Sequence, residues 1–310
     1  MDISYLLFLQ NFRNGIHDAW TPFLESISLF AITYIILLPV FIYWCINKRN
    51  GIYTLGAAYV CVAINAVLKL TVCAYRPWIR DPRIIPAGNA ITTATGYSFP
   101  SGHTAYATPI YGGLAVGFWE KKITRWLSVL CVIAILITGF SRNYLGVHTP
   151  QDVAVGLLLA ALSLFVANWV IHHPEQENKF LLGGVIGCVL ALLYISFKPY
   201  PMDYVDGKLL VDPSRMMNDG FHDIGALIAF CTARYIEKQW INFKATGFTC
   251  KGIVLALIGF VPLCLMIMHL RPPFVAWLGP HWGLLVAHSI IIFYIVALYP
   301  LVLKIFENKH

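Results

Sequence analysis

Long apolar segments are the feature that most limits what this chain can fold into. Apolar runs recur between residues 27 and 303 and are separated by short polar connections. A helix needs about 20 mainly apolar residues to cross the hydrocarbon core of a bilayer, and several of these runs reach that length. The composition agrees, because 58% of the 310 residues are hydrophobic and only 12% are charged. We therefore predict an all-α, polytopic helical membrane protein.

The apolar pattern predicts nine spanning segments in two groups. Residues 1–26 are predicted to form an amphipathic segment at the membrane interface, because their apolar run is too short to span. A six-segment core would occupy 27–197, followed by an outward-facing polar connector at 198–221 and a C-terminal extension at 222–310. The segments lie near 27–46, 52–73, 101–119, 124–141, 150–171, 180–197, 222–236, 252–270 and 282–303.

The distribution of Lys and Arg predicts the orientation of these segments. In membrane proteins the basic connections face the cytoplasm, so the net charge of +7 gives no reason to expect a nucleic-acid partner. One side of the predicted threading collects most of the cations, while the other carries most of the Asp residues. We therefore predict that the N-terminus and the connections after segments 2, 4, 6 and 8 face outward. The cations of the cytoplasmic side are Lys48, Arg49, Lys121, Lys122, Arg125, Lys179, Arg234, Lys238, Lys244, Lys251, Lys304 and Lys309.

Three polar clusters lie at the ends of segments that are otherwise apolar, where polar groups are costly and need a reason. Because consecutive spanning helices alternate in direction, the end of segment 2, the start of segment 3 and the turn between segments 4 and 5 share one membrane surface. The clusters are Lys69 with Arg76-Pro77, then Pro100-Ser101-Gly102-His103, and finally Ser141-Arg142 with His148 and Asp152. One outward-facing pocket is predicted to collect all three.

The side chains of this pocket suit phosphoryl transfer. Lys69, Arg76 and Arg142 supply fixed cations for a phosphoryl group, and the start of a helix at Ser101 and Gly102 offers backbone N–H groups to an anion. One imidazole can attack phosphorus while the other protonates the leaving oxygen. A carboxylate can orient the attacking ring, as Asp152 could orient His148.

The three clusters resemble the motifs of the type 2 phosphatidic acid phosphatase (PAP2) superfamily, which also includes vanadium haloperoxidases, bacterial acid phosphatases and glucose-6-phosphatase. Every motif position is matched, over about residues 50–172. The resemblance implies a metal-independent hydrolase without a cofactor. In it, His148 is the nucleophile, Asp152 is the orienting partner of His148, and His103 is the general acid. It also implies phosphate ligands at Lys69, Arg76, Ser101, Gly102 and Arg142.

The expected substrate is a lipid phosphate, because the pocket lies at interfacial depth. Polyprenyl diphosphate, phosphatidic acid and phosphatidylglycerol phosphate are the leading candidates, and a sugar phosphate is an alternative. The same phosphohistidine could pass its phosphoryl group to an alcohol, as in a lipid phosphotransferase. A non-catalytic transporter or lipid-binding protein is a third class. Retention of both histidines argues against it, because binding alone would not require His103.

Several polar residues also have purely structural interpretations. Thr149-Pro150-Gln151-Asp152 has the pattern of a capping box at a helix start, which is compatible with pairing between Asp152 and His148. His222-Asp223 and Arg271 could line a substrate entrance, although interfacial packing is the commoner role for such residues. The connector 198–221 could cover the pocket or simply be a solvated loop. The scattered cysteines form no Cys-x-x-Cys pair and predict neither a zinc site nor a disulfide framework.

Overall fold

Helices dominate this chain because backbone groups at membrane depth must form hydrogen bonds within the protein. The computed structural model describes residues 2–307. A short hairpin of β1 (Tyr204–Val205) and β2 (Lys208–Leu209) lies in the connector. The helices are α1 (Asp2–Gly15), α2 (Thr21–Thr33), α3 (Leu37–Phe41), α4 (Lys48–Val72), α5 (Pro77–Arg80), α6 (Ala90–Thr93), α7 (Gly102–Trp119), α8 (Arg125–Tyr144), α9 (Pro150–His172), α10 (Glu177–Phe197), α11 (Pro213–Ile236), α12 (Cys250–His269), α13 (Arg271–Phe293) and α14 (Tyr299–Glu307).

Within residues 2–307, six helical stretches are long and apolar enough to cross a membrane. A seventh arises if the bent pair of α2 and Leu37–Ile46 counts as one span. This confirms a multi-pass, all-α membrane protein. The predicted segments 3 and 7 are present as helices α7 and α11, but neither is among the six. The six are Lys48–Arg80, Lys122–Tyr144, Pro150–His172, Glu177–Phe197, Cys250–His269 and Arg271–Glu307.

Helices α7 and α11, which are not among the six apolar stretches, are surrounded by other helices of the bundle. Helix α7 packs against α4, α8 and α9, while α11 packs against α4, α10 and α13. Helix α4 is central as well, because 56% of the apolar 18-residue stretch in its span is buried. In the outer helix α9, only 17% of the corresponding stretch is buried. Polar and small residues can therefore occupy α7 and α11, because neighbouring helices rather than lipid cover them.

The first predicted segment, 27–46, differs in shape from the prediction. Its chain is broken by a bend of 40° between α2 and Leu37–Ile46, and α2 begins at Thr21, inside the predicted interfacial segment. Pro22 favours that start, since proline fits the first helical turn. Helix α4 begins four residues earlier than predicted, because the side chain of Asn47 accepts the N–H of Asn50 and caps it.

The C-terminal extension also begins earlier than predicted. Helix α11 starts at Pro213 because the side chain of Asp212 accepts the N–H of Ser214. It therefore takes in the last residues of the predicted connector, 198–221. The last predicted segment is longer too, since α13 starts at Arg271 and kinks at Gly279, which has a φ of 77°, before Pro280. The division of the chain at 26, 197 and 221 stays a prediction.

Four contacts show how the ends of the helices are arranged. The Nζ atom of Lys198, after α10, donates to the carbonyl of Leu70 near the end of α4 at 2.7 Å. At the other ends of the helices, the Nζ atom of Lys48 lies 2.6 Å from the carboxylate of Glu237, just after α11. Lys69 bonds to the carbonyl of Pro100 before α7, and Arg76 bonds to that of Val147 before α9. The end of α4, the start of α7 and the α8–α9 turn therefore lie at one end of the bundle.

Candidate functional site

The predicted site residues come from three places at this end of the bundle. Lys69 and Arg76 lie at and just after the end of α4, while Ser101, Gly102 and His103 lie at the start of α7. Arg142 belongs to the last turn of α8, and His148 and Asp152 belong to the turn into α9 and its first turn. All of these side chains except Lys69 and the partly exposed Gly102 are buried. The α7 start and the α8–α9 turn meet directly, because Ser101 N–H donates to the carbonyl of Asp152 at 3.0 Å.

Arg76 connects the loop after α4 to the α8–α9 turn. Its Nη1 atom donates to the carbonyl of Val147 at 3.0 Å and lies 2.8 Å from Nε2 of His148. The other guanidinium nitrogens donate to the carbonyls of Thr95 and Gly96. These four contacts fix the plane of the guanidinium beside the imidazole and leave one of its five N–H groups for a ligand.

The ring nitrogens of His148 have different partners. Arginine can only donate, so the 2.8 Å contact makes Nε2 of His148 the acceptor. The proton of the neutral ring then lies on Nδ1, which faces the Oδ2 atom of Asp152 at 3.4 Å. The lone pair needed for nucleophilic attack is therefore on Nε2, beside the guanidinium of Arg76.

Asp152 contributes both to the helix start and to the site. Its Oδ2 atom accepts the N–H of Thr149 at 2.8 Å, and Thr149 Oγ1 accepts the N–H of Asp152 at 3.4 Å. The capping box predicted from the sequence is therefore present. The same Oδ2 atom accepts the hydroxyl of Ser98 at 2.6 Å and faces His148. One carboxylate therefore both caps the start of α9 and contacts the site residues Ser98 and His148.

The start of α7 has the form of an anion-binding helix terminus. Ser101 caps the helix, with its Oγ atom accepting the N–H of Thr104 at 3.4 Å and the hydroxyl of Thr104 at 2.9 Å. Amides of a first helical turn have no partner within the helix, so those of Gly102 and His103 can serve a ligand. A Cβ atom built on Gly102 meets no atom within 4 Å, so there is open space beside this glycine.

Arg142 and His103 carry buried nitrogens without a partner among the described residues. Arg142 is held through Nη1, which donates to the hydroxyl of Ser28 at 2.7 Å. Its Nε and Nη2 atoms and the Nε2 atom of His103 have no hydrogen-bond partner within residues 2–307. Buried polar atoms in proteins are nearly always paired, so these three nitrogens indicate a place for a polar ligand.

Lys69 occupies a different position from the two arginines. Its Nζ atom donates to the carbonyls of Tyr97 and Pro100, at 3.2 and 2.9 Å. It therefore holds the loop that leads into α7 and brings its charge to the site. Electrostatic interactions connect His103 with this lysine, with both arginines and with His148. The structure thus brings all the predicted site residues into one cluster.

The positive charges act on His148. Burial has the largest effect, followed by the charge of Arg76, and together they hold the pKa of His148 well below the usual range for histidine. Arg142 and Lys69 act in the same direction. The imidazole is therefore neutral at physiological pH, which is the form that can attack an electrophile.

Sequence reasoning missed three residues that support the site. Ser98 bonds to Asp152, Ser28 holds Arg142, and the side-chain amide of Asn143 donates to the carbonyl of His148 at 2.9 Å. Asn143 is adjacent to a motif residue and could have been suspected. Ser28 is 114 positions from Arg142, and no sequence pattern connects the two.

Potential metal ligands are dispersed in the part of the chain that the structure describes. Within residues 2–307, no group of three or more His, Cys, Asp or Glu side chains is placed to hold a metal ion. The site as described is a cluster of cations, backbone donors and imidazoles.

Comparison with known proteins places the chain in a family. A sequence model of the PAP2 superfamily matches residues 50–176. Phosphatidylglycerophosphatase B of Escherichia coli (strain K12) is 37% identical over 93 residues, which cover 27% of this chain and 36% of that protein. Undecaprenyl-diphosphatase BcrC of Bacillus subtilis (strain 168) is 31% identical over 155 residues, which cover 50% of this chain and 75% of that protein.

A probable sphingosine-1-phosphate phosphatase of Dictyostelium discoideum is 24% identical over 211 residues, 64% of this chain and 50% of that protein. No solved structure matches the chain. The match to the Escherichia coli protein spans only about a third of that protein's length, 36%. The match to the Bacillus subtilis protein covers most of that relative, and residues 50–176, which the PAP2 model matches, contain all three motifs. The chain therefore belongs to the PAP2 superfamily.

Proposed function

We propose that the protein is an integral-membrane phosphatase that hydrolyses a lipid phosphate, either a phosphomonoester or a terminal diphosphate. The observation that carries this proposal is the contact of Arg76 with Nε2 of His148. It places an unprotonated ring nitrogen next to a guanidinium that can hold a phosphoryl oxygen. The names of the Escherichia coli and Bacillus subtilis relatives, which refer to lipid phosphates, support the substrate class.

The proposed reaction has two steps. In the first, the Nε2 lone pair of His148 attacks phosphorus, the bond to the leaving oxygen breaks, and His103 gives that oxygen a proton. In the second, water attacks the phosphohistidine, His103 takes a proton from that water, and phosphate leaves as His148 regains its lone pair. Asp152 stabilises the positive charge that develops on the His148 ring.

Phosphate binding is assigned to the cations and the helix start. Arg76 and Arg142 would hold equatorial oxygens, and the free backbone N–H groups of Gly102 and His103, next to the Ser101 cap, would hold a third. Lys69 adds positive charge, although its Nζ atom is already bonded to two carbonyls. These donors stabilise the charge that builds up on the oxygens in the transition state.

We also infer that the site faces the extracytoplasmic side. The opposite end of the bundle carries basic residues such as Lys48, Arg234 and Lys238. Basic ends of membrane proteins are retained in the cytoplasm. The connector near the site contains several Asp residues instead.

The experiment is a phosphate-release assay in detergent with prenyl, glycerolipid, sphingoid and sugar phosphates. His148→Ala should lose at least about 10³-fold in kcat, since it removes the nucleophile. The matched control is His172→Ala, which changes an exposed histidine at the other end of α9. Full activity of His148→Ala would refute the nucleophile assignment. Adding an acceptor alcohol separates a hydrolase from a phosphotransferase, because transfer would yield a new phosphate ester instead of free phosphate.

A further inference from the structure

A second polar cluster lies in α11 and α13, outside the stretch that matches the family. The Nδ1 atom of His222 lies 2.9 Å from Oδ1 of Asp223, and Nε2 of His222 lies 3.1 Å from Nη2 of Arg271. The ring of His288 is next to that of His222, with centroids 3.7 Å apart. Ionisable groups in helices of a membrane protein are costly and mark functional sites.

These side chains line a cavity of about 320 Å³ that reaches the start of α7. Gly102 of the phosphate site lines the same cavity, as does Asn65 of α4. Much of the remaining wall is aliphatic, including Ile36 and Leu263. The cavity therefore joins the proposed phosphate site to a space with both polar and apolar walls. A ligand pocket of this size is ordinary for a small or amphiphilic group.

Three residues that line this cavity carry buried polar atoms without partners. Asn65 is 4% exposed, and its Nδ2 atom has no hydrogen-bond partner within residues 2–307. The same holds for the hydroxyl of Tyr59 and for Nδ1 of His288, which also line the cavity. Because buried polar atoms are nearly always paired, the three atoms indicate a ligand with hydrogen-bonding groups.

The charge in the cavity identifies the kind of group. The ion pairs among the described residues include none with Arg271, which donates to an imidazole instead of to a carboxylate. Asp223 fixes the His222 ring, and the ring in turn fixes the guanidinium. An oriented guanidinium that lines the same cavity as an unpartnered amide N–H₂ group suits an oxyanion. Gly102 of the phosphate site lines the same cavity as Asp223 and Arg271, so one substrate can reach both clusters.

We propose that this cavity binds the leaving part of a lipid diphosphate. Arg271 and Asn65 would hold the phosphate that remains on the lipid, and the aliphatic wall would hold the start of the hydrocarbon chain. This inference rests on the proposed function and specifies its substrate class. It assigns part of substrate selection to Arg271 in the C-terminal extension, which lies outside the stretch that the family model matches.

The test compares two substrates with the same hydrocarbon, a prenyl diphosphate and the corresponding prenyl monophosphate. In Arg271→Gln, the ratio of kcat/KM for the diphosphate to kcat/KM for the monophosphate should fall by roughly 10-fold or more, as expected for loss of a charged hydrogen bond. Arg271→Lys should restore part of the ratio. Asn65→Ala should lower the ratio in the same direction.

The matched control is Arg215→Gln, which removes an exposed cation from the first turns of α11 and should leave the ratio unchanged. Hydrolysis of the monophosphate shows that each variant is folded. An unchanged ratio in Arg271→Gln, or an equal loss on both substrates, would overturn the inference. If the wild-type protein releases phosphate from neither prenyl substrate nor any other lipid phosphate, the proposed function itself has failed.

Discussion

His148 shows how strongly one residue depends on its neighbours. Arg76 can only donate a hydrogen bond, so it selects the tautomer in which Nε2 carries the lone pair. Asp152 faces the opposite ring nitrogen and favours a proton there. Both effects act before any substrate binds, so the ring is already in the tautomer that nucleophilic attack requires.

The surrounding cations give a prediction for pH dependence. Protonation removes the Nε2 lone pair, so activity is lost as pH falls through the pKa of His148. Because that pKa is held well below the usual value, His148 of the wild type should stay unprotonated below a pH of about 6.5. At that pH, kcat/KM should therefore not yet fall through protonation of His148. Arg142→Gln removes one positive charge, so it should raise the pKa of His148 and move the acid limb to higher pH. It should also lower kcat/KM by roughly 100-fold.

The measurement is the pH profile of kcat/KM with one substrate for both proteins, so that ionisation of the substrate cancels. Arg83→Gln serves as control, since Arg83 is exposed and paired with Asp81. An acid limb that stays in place or moves to lower pH in Arg142→Gln would contradict this account of His148.

Residues that the sequence did not reveal act by supporting others. Ser98 is polar, but it lies in a loop rich in Ser and Thr, where no periodicity separates it from its neighbours. Only its 2.6 Å contact with Asp152 shows its position in the site. Motif residues could be found because charged groups next to apolar helices are rare, whereas hydroxyl groups in loops are common.

At the scale of elements, buried ion pairs join the helices at the end opposite the site. Glu237, after α11, is fully buried. Its carboxylate contacts Lys48 at the start of α4 at 2.6 Å and Arg234 at the end of α11 at 2.5 Å. Arg234 also bonds to Glu177 of α10 at 2.7 Å. Three helices are therefore held together by one network of charges.

This network predicts a large effect of one substitution. Glu237→Ala leaves the positive charges of the half-buried Lys48 and Arg234 partly uncompensated, so it should lower the free energy of unfolding by about 3 kcal/mol. The thermal midpoint in detergent should fall accordingly, while phosphate release per folded molecule at low temperature should persist.

Glu307→Gln is the matched control, because Glu307 pairs with Lys244 at 3.8 Å and that lysine side chain is 86% exposed. Exposed pairs contribute about 0–1 kcal/mol, so the control should melt close to the wild type. Equal midpoints for Glu237→Ala and the wild type would show that the buried network does not hold the helices together.

At the scale of the whole molecule, the bundle has two chemically different ends. The end with the proposed active site carries the polar loop before α7 and the connector with the β-hairpin. Tyr75 bonds to Asp203 of that connector, and the sulfur of Met216 accepts the N–H of Tyr97 at 3.3 Å. The connector therefore lies against the site loop.

The proposed orientation predicts which end a non-permeant reagent reaches. In a background without native cysteines, Thr92→Cys at the site end should react with a membrane-impermeant maleimide on intact cells. Glu175→Cys at the opposite end should react only after the membrane is permeabilised. Both positions are exposed, so protection reports the membrane side. The reverse pattern of labelling would place the site in the cytoplasm.

The sequence by itself determined the class of fold and predicted the residues of the candidate site. Long apolar runs allow few structures in a bilayer, because every backbone group there must be paired within the chain. The motif residues His103, His148, Arg76 and Arg142 were identifiable because charged and titratable groups are costly beside lipid. Family membership was predicted on that basis, and the comparisons confirmed it.

Only the tertiary structure decided which side chains meet. The contacts of Arg76 with His148 and of Arg142 with Ser28 join positions 72 and 114 residues apart. Hydropathy and motif spacing describe local order along one helix, so they do not specify such pairs. The cavity that joins Gly102 to His222 and Arg271 depends in the same way on how α11 and α13 pack against α4 and α7. Which helix faces which is set by side-chain packing across the whole bundle.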